Sequence, residues 1–386
     1  MRAADLVLPR ETTNWDTASP LWEEFTGRAA WPISEGAGER LAGHRVLITG
    51  AGGSIGSALA RAVAGFRPSS LLLLDRSEAG LAQLQADLPR SDPALDQRFA
   101  LGDIGDRQLV RELLEEQGTE IVFHAAACKY VPLLEANPMA AVITNVLGTQ
   151  CLLQAAQRAE VDQFVSVSTD KAVDPVSVLG VTKRIAELLV LSFAGPSSAT
   201  SVLRLGNVLG SNGSVGPQFL RQIERGGPIR ITHPEATRYF VSVKEAVHHL
   251  IRLLEVQAGP ALFVPRMGEP RHVEELARFL LRRSACGSQA IALEYTGLRP
   301  GDKLREALFA ANECGAPARL GGLLQAIGPV PAGDRLQAEL ARLADGVERR
   351  DVRQLIDGMR AIVPEYRASE AVFVERHTRK GAGACP

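Results

Sequence analysis

From His44 onward the chain alternates short, unbroken apolar runs with longer stretches in which apolar residues recur every three or four positions. Val46-Leu47-Ile48 and Leu71-Leu72-Leu73-Leu74 read as strands, and the segment from Ile55 to Ala64 between them reads as a helix. Strands that are apolar at every position belong in a parallel sheet covered on both faces, because a strand with one wet face alternates. The same rhythm predicts a helix over 106–117, a strand from Ile121 to His124, a long helix over 139–158 and a strand from Phe164 to Val167. A helix beginning near Val178 and a strand from Ser201 to Leu205 follow. This order predicts an α/β protein with a Rossmann-type doubly wound parallel sheet.

Beyond Leu205 the rhythm breaks into glycine- and proline-rich turns at 206–216, 226–228 and 300–301, where substrate-binding insertions belong. They predict a smaller C-terminal α/β substrate-binding subdomain. Helical spacing returns at Leu336, Leu340 and Leu343 and again at Val352, Leu355, Ile356 and Met359, and 380–386 reads as a frayed end. Residues 1–43 show no sustained period and read as an N-terminal arm whose Trp15, Trp22 and Trp31 pack on the body.

Composition narrows the class. With 386 residues, 46% of them hydrophobic, the chain can bury a large core. A formal net charge of −1 excludes a nucleic-acid binder that relies on bulk charge, although a local basic cleft can still hold a diphosphate. Cys128, Cys151, Cys286, Cys314 and Cys385 are odd in number and widely spaced, without a Cys-x-x-Cys or Cys/His cluster, so no metal site is expected and a reducing cytoplasm fits. The segment Met1 to Asp16 holds no apolar run of signal-peptide length, and no later stretch approaches the ~20 apolar residues of a membrane span. The expectation is a soluble, cytoplasmic protein.

The turn after the first strand, Thr49 to Gly56, places Gly50, Gly53 and Gly56 between a strand and a helix. A pyrophosphate must approach backbone there, and the helix N-terminus offers free N–H donors. Gly52, Ser54 and Ile55 complete this candidate cofactor turn. Nineteen residues after Gly56 the next apolar strand ends at Asp75, whose carboxylate can accept hydrogen bonds from an adenosine ribose. Asp75 would repel a 2′-phosphate, which favours NAD, while Arg76 beside it leaves NADP open. Asp103 and Ile104, after Gly102, are placed to contact adenine; Asp103 reads equally well as a helix N-cap.

Ser168-Thr169-Asp170-Lys171 ends the strand that starts at Phe164, and Leu179-x-x-x-Lys183 follows. Residues four apart share a helix face, so Leu179 and Lys183 match the Tyr-x-x-x-Lys pair of short-chain dehydrogenases with an inert side chain in place of the tyrosine. Several segments then make the likeness specific: His124-Ala125-Ala126-Ala127-Cys128-Lys129-Tyr130, Thr144 to Thr149, Ser168 to Pro175, Arg204 to Ser211, Thr232 to Phe240 and Gly297 to Lys303. Together, over about residues 20 to 370, they resemble the polysaccharide-biosynthesis (CapD-like) branch of nucleotide-sugar 4,6-dehydratases, in the extended short-chain dehydrogenase/reductase superfamily. The likeness is to the soluble catalytic part, without the membrane-spanning region many members carry.

That resemblance implies conversion of UDP-N-acetylglucosamine to a 4-keto-6-deoxy sugar nucleotide with a tightly held NAD(P). Oxidation at C4 acidifies the C5–H; a base removes that proton, an acid protonates the departing C6 hydroxyl, and the hydride returns to C6. By resemblance Asp170 is the acid and Lys171 the base, with burial expected to raise the one pKa and lower the other. Thr169, Lys183 through the ribose hydroxyl, an ionised Asp170 or a water are the candidates to receive the O4 proton. The cofactor-lining segment is Ala125, Ala126 and Ala127. Lys129, Asn207, Arg238 and Arg299 are the candidate substrate contacts, the two arginines on the diphosphate.

His124 and Asn145 read as structural, Asn145 through backbone bonds within its own helix. Asp302 and the Arg305-Glu306-Ala307 segment depart from the family pattern. The implied organisation is an arm at 1–43, a mainly NAD-binding Rossmann domain at 44–205, a mainly sugar-nucleotide-binding subdomain at 206–330 interleaved with the sheet, and a C-terminal helical extension and tail at 331–386. Self-association through helices beside the active site is expected. The competing readings are an epimerase or 5,6-dehydratase on the same scaffold, and a catalytically silent dinucleotide-binding module.

Overall fold

The computed structural model describes residues 15–88, 95–193, 199–257, 259–284, 291–330 and 333–374. Cys286, Cys385, the segment 380–386 and the side chain of Trp15 lie outside what it describes. Six strands form the expected parallel core: β1 (Arg45–Thr49), β2 (Ser70–Asp75), β3 (Asp96–Leu101), β4 (Ile121–His124), β5 (Gln163–Thr169) and β6 (Ala199–Leu205). They lie in the order β3-β2-β1-β4-β5-β6, and the strand Pro260–Pro265 adds a seventh parallel member beside β6. Two antiparallel strands, Leu323–Ile327 and then Cys314–Pro317, complete a nine-stranded sheet. Leu71 to Leu74 are at most 1% exposed, as strands covered on both faces must be. Strand order reverses between β1 and β4, and the crevice at the C-terminal ends of those strands is where such folds bind ligands.

The helix Pro138–Arg158 runs through a π-helical stretch at Val142–Gly148. It has 21 residues and is apolar enough, by length and composition, to cross a membrane, which the sequence reading did not anticipate. Of its most apolar window 61% is buried in the fold. Its apolar character is accounted for by packing against the helices Val178–Ser192, Gly333–Glu348 and Val352–Ile362. The last two form the expected C-terminal pair, with Leu336, Leu340, Leu343, Leu355, Ile356 and Met359 buried.

A second core lies on the substrate side. Phe219, Ile223, Phe240, Leu276 and Leu280 pack there with Leu21, Trp22 and Phe25 of the helix Trp15–Thr26. The N-terminal segment is therefore helical where no period was legible, because one short helix carries too few apolar positions to set a rhythm. Trp22 is 4% exposed, whereas Trp31 is 47% exposed and stacks under the Arg252 guanidinium at 5.5 Å.

Candidate active site

Gly50 leaves β1 with φ +70°, and a Cβ built on it would lie 2.6 Å from the backbone N of Ala126. At Gly56 an added Cβ would come within 2.0 Å of the Gly50 carbonyl oxygen. Gly53 caps the helix Ser54–Ala64 without a side-chain bond, leaving its first N–H groups open to an anion. The Asp75 carboxylate accepts from Gly52 N and Ser77 N, both at 2.8 Å, and so fixes the turn to the end of β2. These residues line one cleft of about 810 Å³, together with Ser54, Ile55, Ala125, Ala126 and Ala127.

Arg76, Asp103 and Ile104 line the same cleft. The Arg76 guanidinium lies 3.7 Å from Asp103 and donates to Thr144 and Cys128 at 3.4 and 3.2 Å. Asp103 accepts from Gly105 N at 2.8 Å, and the N-cap of the following helix is Asp106. Asn212 N donates to Ser54 Oγ at 2.8 Å, and Asn212 O accepts from Tyr130 Oη at 3.2 Å. A strap from the substrate side thus crosses the glycine turn.

The sheet delivers the next group. His124 at the end of β4 is held between Thr49 at 2.8 Å and Thr149 at 3.0 Å, and burial with the nearby Lys183 pushes its pKa down to about 3. It is a neutral structural residue. Asn145, in the π-helical stretch, accepts from Cys128 N at 2.8 Å and donates to Cys128 O and Thr182 Oγ1, both at 3.1 Å. Its bonds cross to the segment after β4 rather than staying in its own helix, the expected partner. Lys183 donates to Val167 O at 2.7 Å, and burial lowers its pKa to about 8. Leu179, one helical turn before it, is 4% exposed and lines the cleft.

Thr169 and Lys171 line the cleft at the end of β5, while Asp170 between them is fully buried. Asp170 Oδ1 accepts from Thr169 Oγ1 at 3.1 Å and Lys171 Nζ at 3.0 Å, and its Oδ2 has no hydrogen-bond partner. Burial, reinforced by Glu306, raises its pKa, as an acid–base role requires. Lys171 departs from expectation. Burial alone would lower it, but the Asp170 and Glu306 carboxylates outweigh burial and hold it above its ordinary value. Its Nζ also donates to Asn207 Oδ1 at 2.9 Å, so Asn207 spends its oxygen on Lys171 rather than offering it to a phosphate.

Two acidic residues that sequence reasoning missed organise this end of the cleft. Glu306, 8% exposed, puts Oε1 3.7 Å from Lys171 Nζ and Oε2 3.3 Å from Lys303 Nζ. It gets there because Thr237 and Arg238 pin the 303–306 segment: Thr237 N donates to Leu304 O, and the Arg238 guanidinium donates to the carbonyls of Lys303 and Leu304. Burial opposes its ionisation, yet Lys171, Lys303 and Arg238 keep it below the usual carboxylate range. Glu187 accepts from Ser168 at 2.7 Å and pairs with Arg204 at 2.7 Å and Arg184 at 2.9 Å, which ties the end of β5 to β6. Glu187 leaves one signal in the sequence, an acid before the apolar run Leu188 to Leu191, whereas Glu306, among Asp302, Lys303 and Arg305, does not stand out from its neighbours.

Among the substrate candidates, Lys129, Asn207, Arg238 and Arg299 all line the cleft. Arg299 is paired with Asp302 at 2.8 Å and Arg238 with backbone carbonyls, so both forks start engaged. Lys129 lies 5.7 Å from the Tyr130 ring centroid. Among the described residues no group of three His, Cys, Asp or Glu is spaced to hold a metal.

Comparison with known proteins places this cleft in a family. A family model described as polysaccharide biosynthesis protein matches residues 46–326. The chain belongs to that family. It is 41% identical over 276 residues to the capsular polysaccharide biosynthesis protein CapD of Staphylococcus aureus, covering 71% of this chain and 46% of CapD. Against the probable polysaccharide biosynthesis protein EpsC of Bacillus subtilis it is 39% identical over 296 residues, 75% of this chain and 49% of EpsC. The chain thus spans about half the length of these two relatives.

The UDP-N-acetylglucosamine 4,6-dehydratase (inverting) of Campylobacter jejuni is 30% identical over 274 residues, 69% of this chain and 78% of that enzyme. Among solved structures, Pen from Bacillus thuringiensis aligns with a TM-score of 0.68 at 29% identity, covering 75% of this chain and 89% of Pen. The dTDP-glucose 4,6-dehydratase DesIV of Streptomyces venezuelae, as a double mutant with NAD bound, aligns at 0.59 and 26% identity, covering 68% and 88%. The family drawn from the motifs and the Rossmann-type sheet are both confirmed, and the family is one of sugar-nucleotide dehydratases and epimerases of the extended short-chain dehydrogenase type.

Proposed function

We propose that the chain is an NAD-dependent nucleotide-sugar 4,6-dehydratase acting on a UDP-N-acetylhexosamine such as UDP-N-acetylglucosamine. The observation that carries the reading is the buried Asp170, hydrogen-bonded to Thr169 and Lys171, in a site whose dehydrogenase tyrosine position holds Leu179. An epimerase needs an O4 proton acceptor but no acid–base pair beside C5 and C6; this site offers the pair. The similarity to a UDP-N-acetylglucosamine 4,6-dehydratase supports the substrate class.

The glycine turn fits a dinucleotide: Gly50 and Gly56 let the turn close on the backbone of Ala126 and on its own carbonyl, where a Cβ would clash, and Gly53 leaves the N–H groups that follow it open to a pyrophosphate. When bound, NAD would take a hydride from C4 and return it to C6, leaving no net redox change. Gly53 and the open helix N-terminus would hold its pyrophosphate, Asp75 its adenosine ribose and Lys183 its nicotinamide ribose. With a pKa of about 8, Lys183 is also the group best poised to pass the O4 proton outward through a ribose hydroxyl. Thr169 would orient the sugar, Lys129, Arg238 and Arg299 would hold the diphosphate side, and Asp170 with Lys171 would carry the elimination of water across C5 and C6.

The test is turnover of UDP-N-acetylglucosamine followed by mass and NADH absorbance. Asp170→Asn and Lys171→Ala are each expected to keep NAD binding and to lose at least a hundredfold in formation of the dehydrated product. Full dehydration by either variant overturns the assignment of the pair.

A further inference from the structure

The loop that leads from Lys171 to the helix Val178–Ser192 is fastened by groups from three other parts of the chain. Val173 O accepts from Lys303 Nζ at 2.5 Å, Pro175 O accepts from Arg367 N at 3.0 Å, and Val178 N donates to Glu135 Oε1 at 2.6 Å. The last bond satisfies one of the N–H groups that a helix start leaves open. Glu135 lies on the helix Val131–Ala136, is 2% exposed, and accepts from Ser369 Oγ at its other oxygen, Oε2. A buried carboxylate is costly unless its oxygens are bonded, and here both are. The Gly301 turn closes on the same place, since a Cβ on Gly301 would stand 3.0 Å from both Glu135 Cδ and Ser177 Cβ. Arg367 and Ser369 follow the helix Val352–Ile362, beyond residue 326 where the family match ends.

We infer that Glu135 and Ser369 are positioning residues for the dehydration: they form a latch by which the C-terminal segment 364–374 holds the loop between Lys171 and the helix that carries Lys183. The inference rests on the dehydratase reading above. Neither residue is among those lining the cleft, so the latch acts through the groups it holds. Lys171 stands before the loop and Lys183 on the helix after it, and both line the cleft, so a shift of the loop moves one lysine against the other. A misplacement of about 1 Å costs on the order of a hundredfold in rate. Ser369 sets the direction of the carboxylate: with Oε2 held by its hydroxyl, Oε1 is left facing Val178 N. Arg367 N, two residues earlier, ties the same segment to Pro175 directly.

Two measurements on the full chain test the latch: amide hydrogen exchange across 172–180 without substrate, and the kinetics of UDP-N-acetylglucosamine dehydration. The exchange needs no turnover, so it reports on the latch separately; a wild-type chain that dehydrates no UDP-N-acetylhexosamine would count against the dehydratase reading instead. Ser369→Ala is expected to speed exchange in that segment about tenfold and to lower kcat about tenfold, with KM and NAD affinity within about threefold of wild type. Ser369→Thr, which keeps the hydroxyl, is expected to restore both. Glu135→Gln, whose amide oxygen can still accept from Val178 N while its NH2 donates to Ser369 Oγ, is expected to stay within about threefold of wild type. Tyr366 supplies the control, because it is buried in the same segment and its Oη has no partner. Tyr366→Phe is therefore expected to leave exchange and kcat unchanged. Unchanged exchange or unchanged kcat in Ser369→Ala overturns the inference. So does a loss of equal size in Tyr366→Phe, which would mean that the segment only packs against the body.

Discussion

At the scale of single residues, the site is held by buried charges that local sequence does not announce. Glu187 is fully buried and would be raised by burial alone, but its pairs with Arg204 and Arg184 and its bond from Ser168 bring it down to about 2 from a usual 4.5. A depressed carboxylate contributes stability that is present above its unfolded value and lost as pH falls through the folded one, so the window runs from about 4.5 down to about 2. The shift corresponds to about 3 kcal/mol. Glu187→Gln is expected to lose about that much in urea denaturation at neutral pH, with the difference from wild type shrinking by roughly half at pH 3. A difference that does not change with pH would show that the ion pairs are not its source. Asp170 and Lys171 were legible because they are adjacent to each other at a strand end. Lys171's charge state was not, because Glu306 reaches it only through the 303–306 segment pinned by Thr237 and Arg238.

At the scale of elements, the legible parts were those whose signal is local. The glycine turn, the strand ending at Asp75 and the helix Ser54–Ala64 each follow from a run of neighbouring residues. The helix Trp15–Thr26 gave no such signal, and the π-helical stretch around Asn145 has the same apolar spacing as an ordinary helix. The close approach at Gly56 makes a sharp test of the turn. Gly56→Ala sets a methyl 2.0 Å from the Gly50 carbonyl, so the helix must move off the turn. NAD affinity by calorimetry is expected to fall at least tenfold, about 1.4 kcal/mol; unchanged affinity would place the dinucleotide elsewhere.

At the scale of the whole molecule, one cleft joins the glycine turn on the sheet to the substrate side built over the second core. The helix Val178–Ser192 is buried from Val178 to Val190 by the chain's own residues, including the helix Val352–Ile362. The resemblance leads us to expect self-association through helices beside the active site; if this helix took part, it would have to displace this packing. The proposed cycle would take and return its hydride within this one cleft, so the product itself would carry the record of it. The decisive measurement is the NMR and mass spectrum of the product formed from UDP-N-acetylglucosamine by the purified chain in heavy water. The account predicts a 4-keto-6-deoxy sugar nucleotide with a single deuterium at C5 and the original C4 hydrogen carried to C6. A C4 epimer without solvent label, or NAD binding with no turnover of any UDP-N-acetylhexosamine, would contradict it.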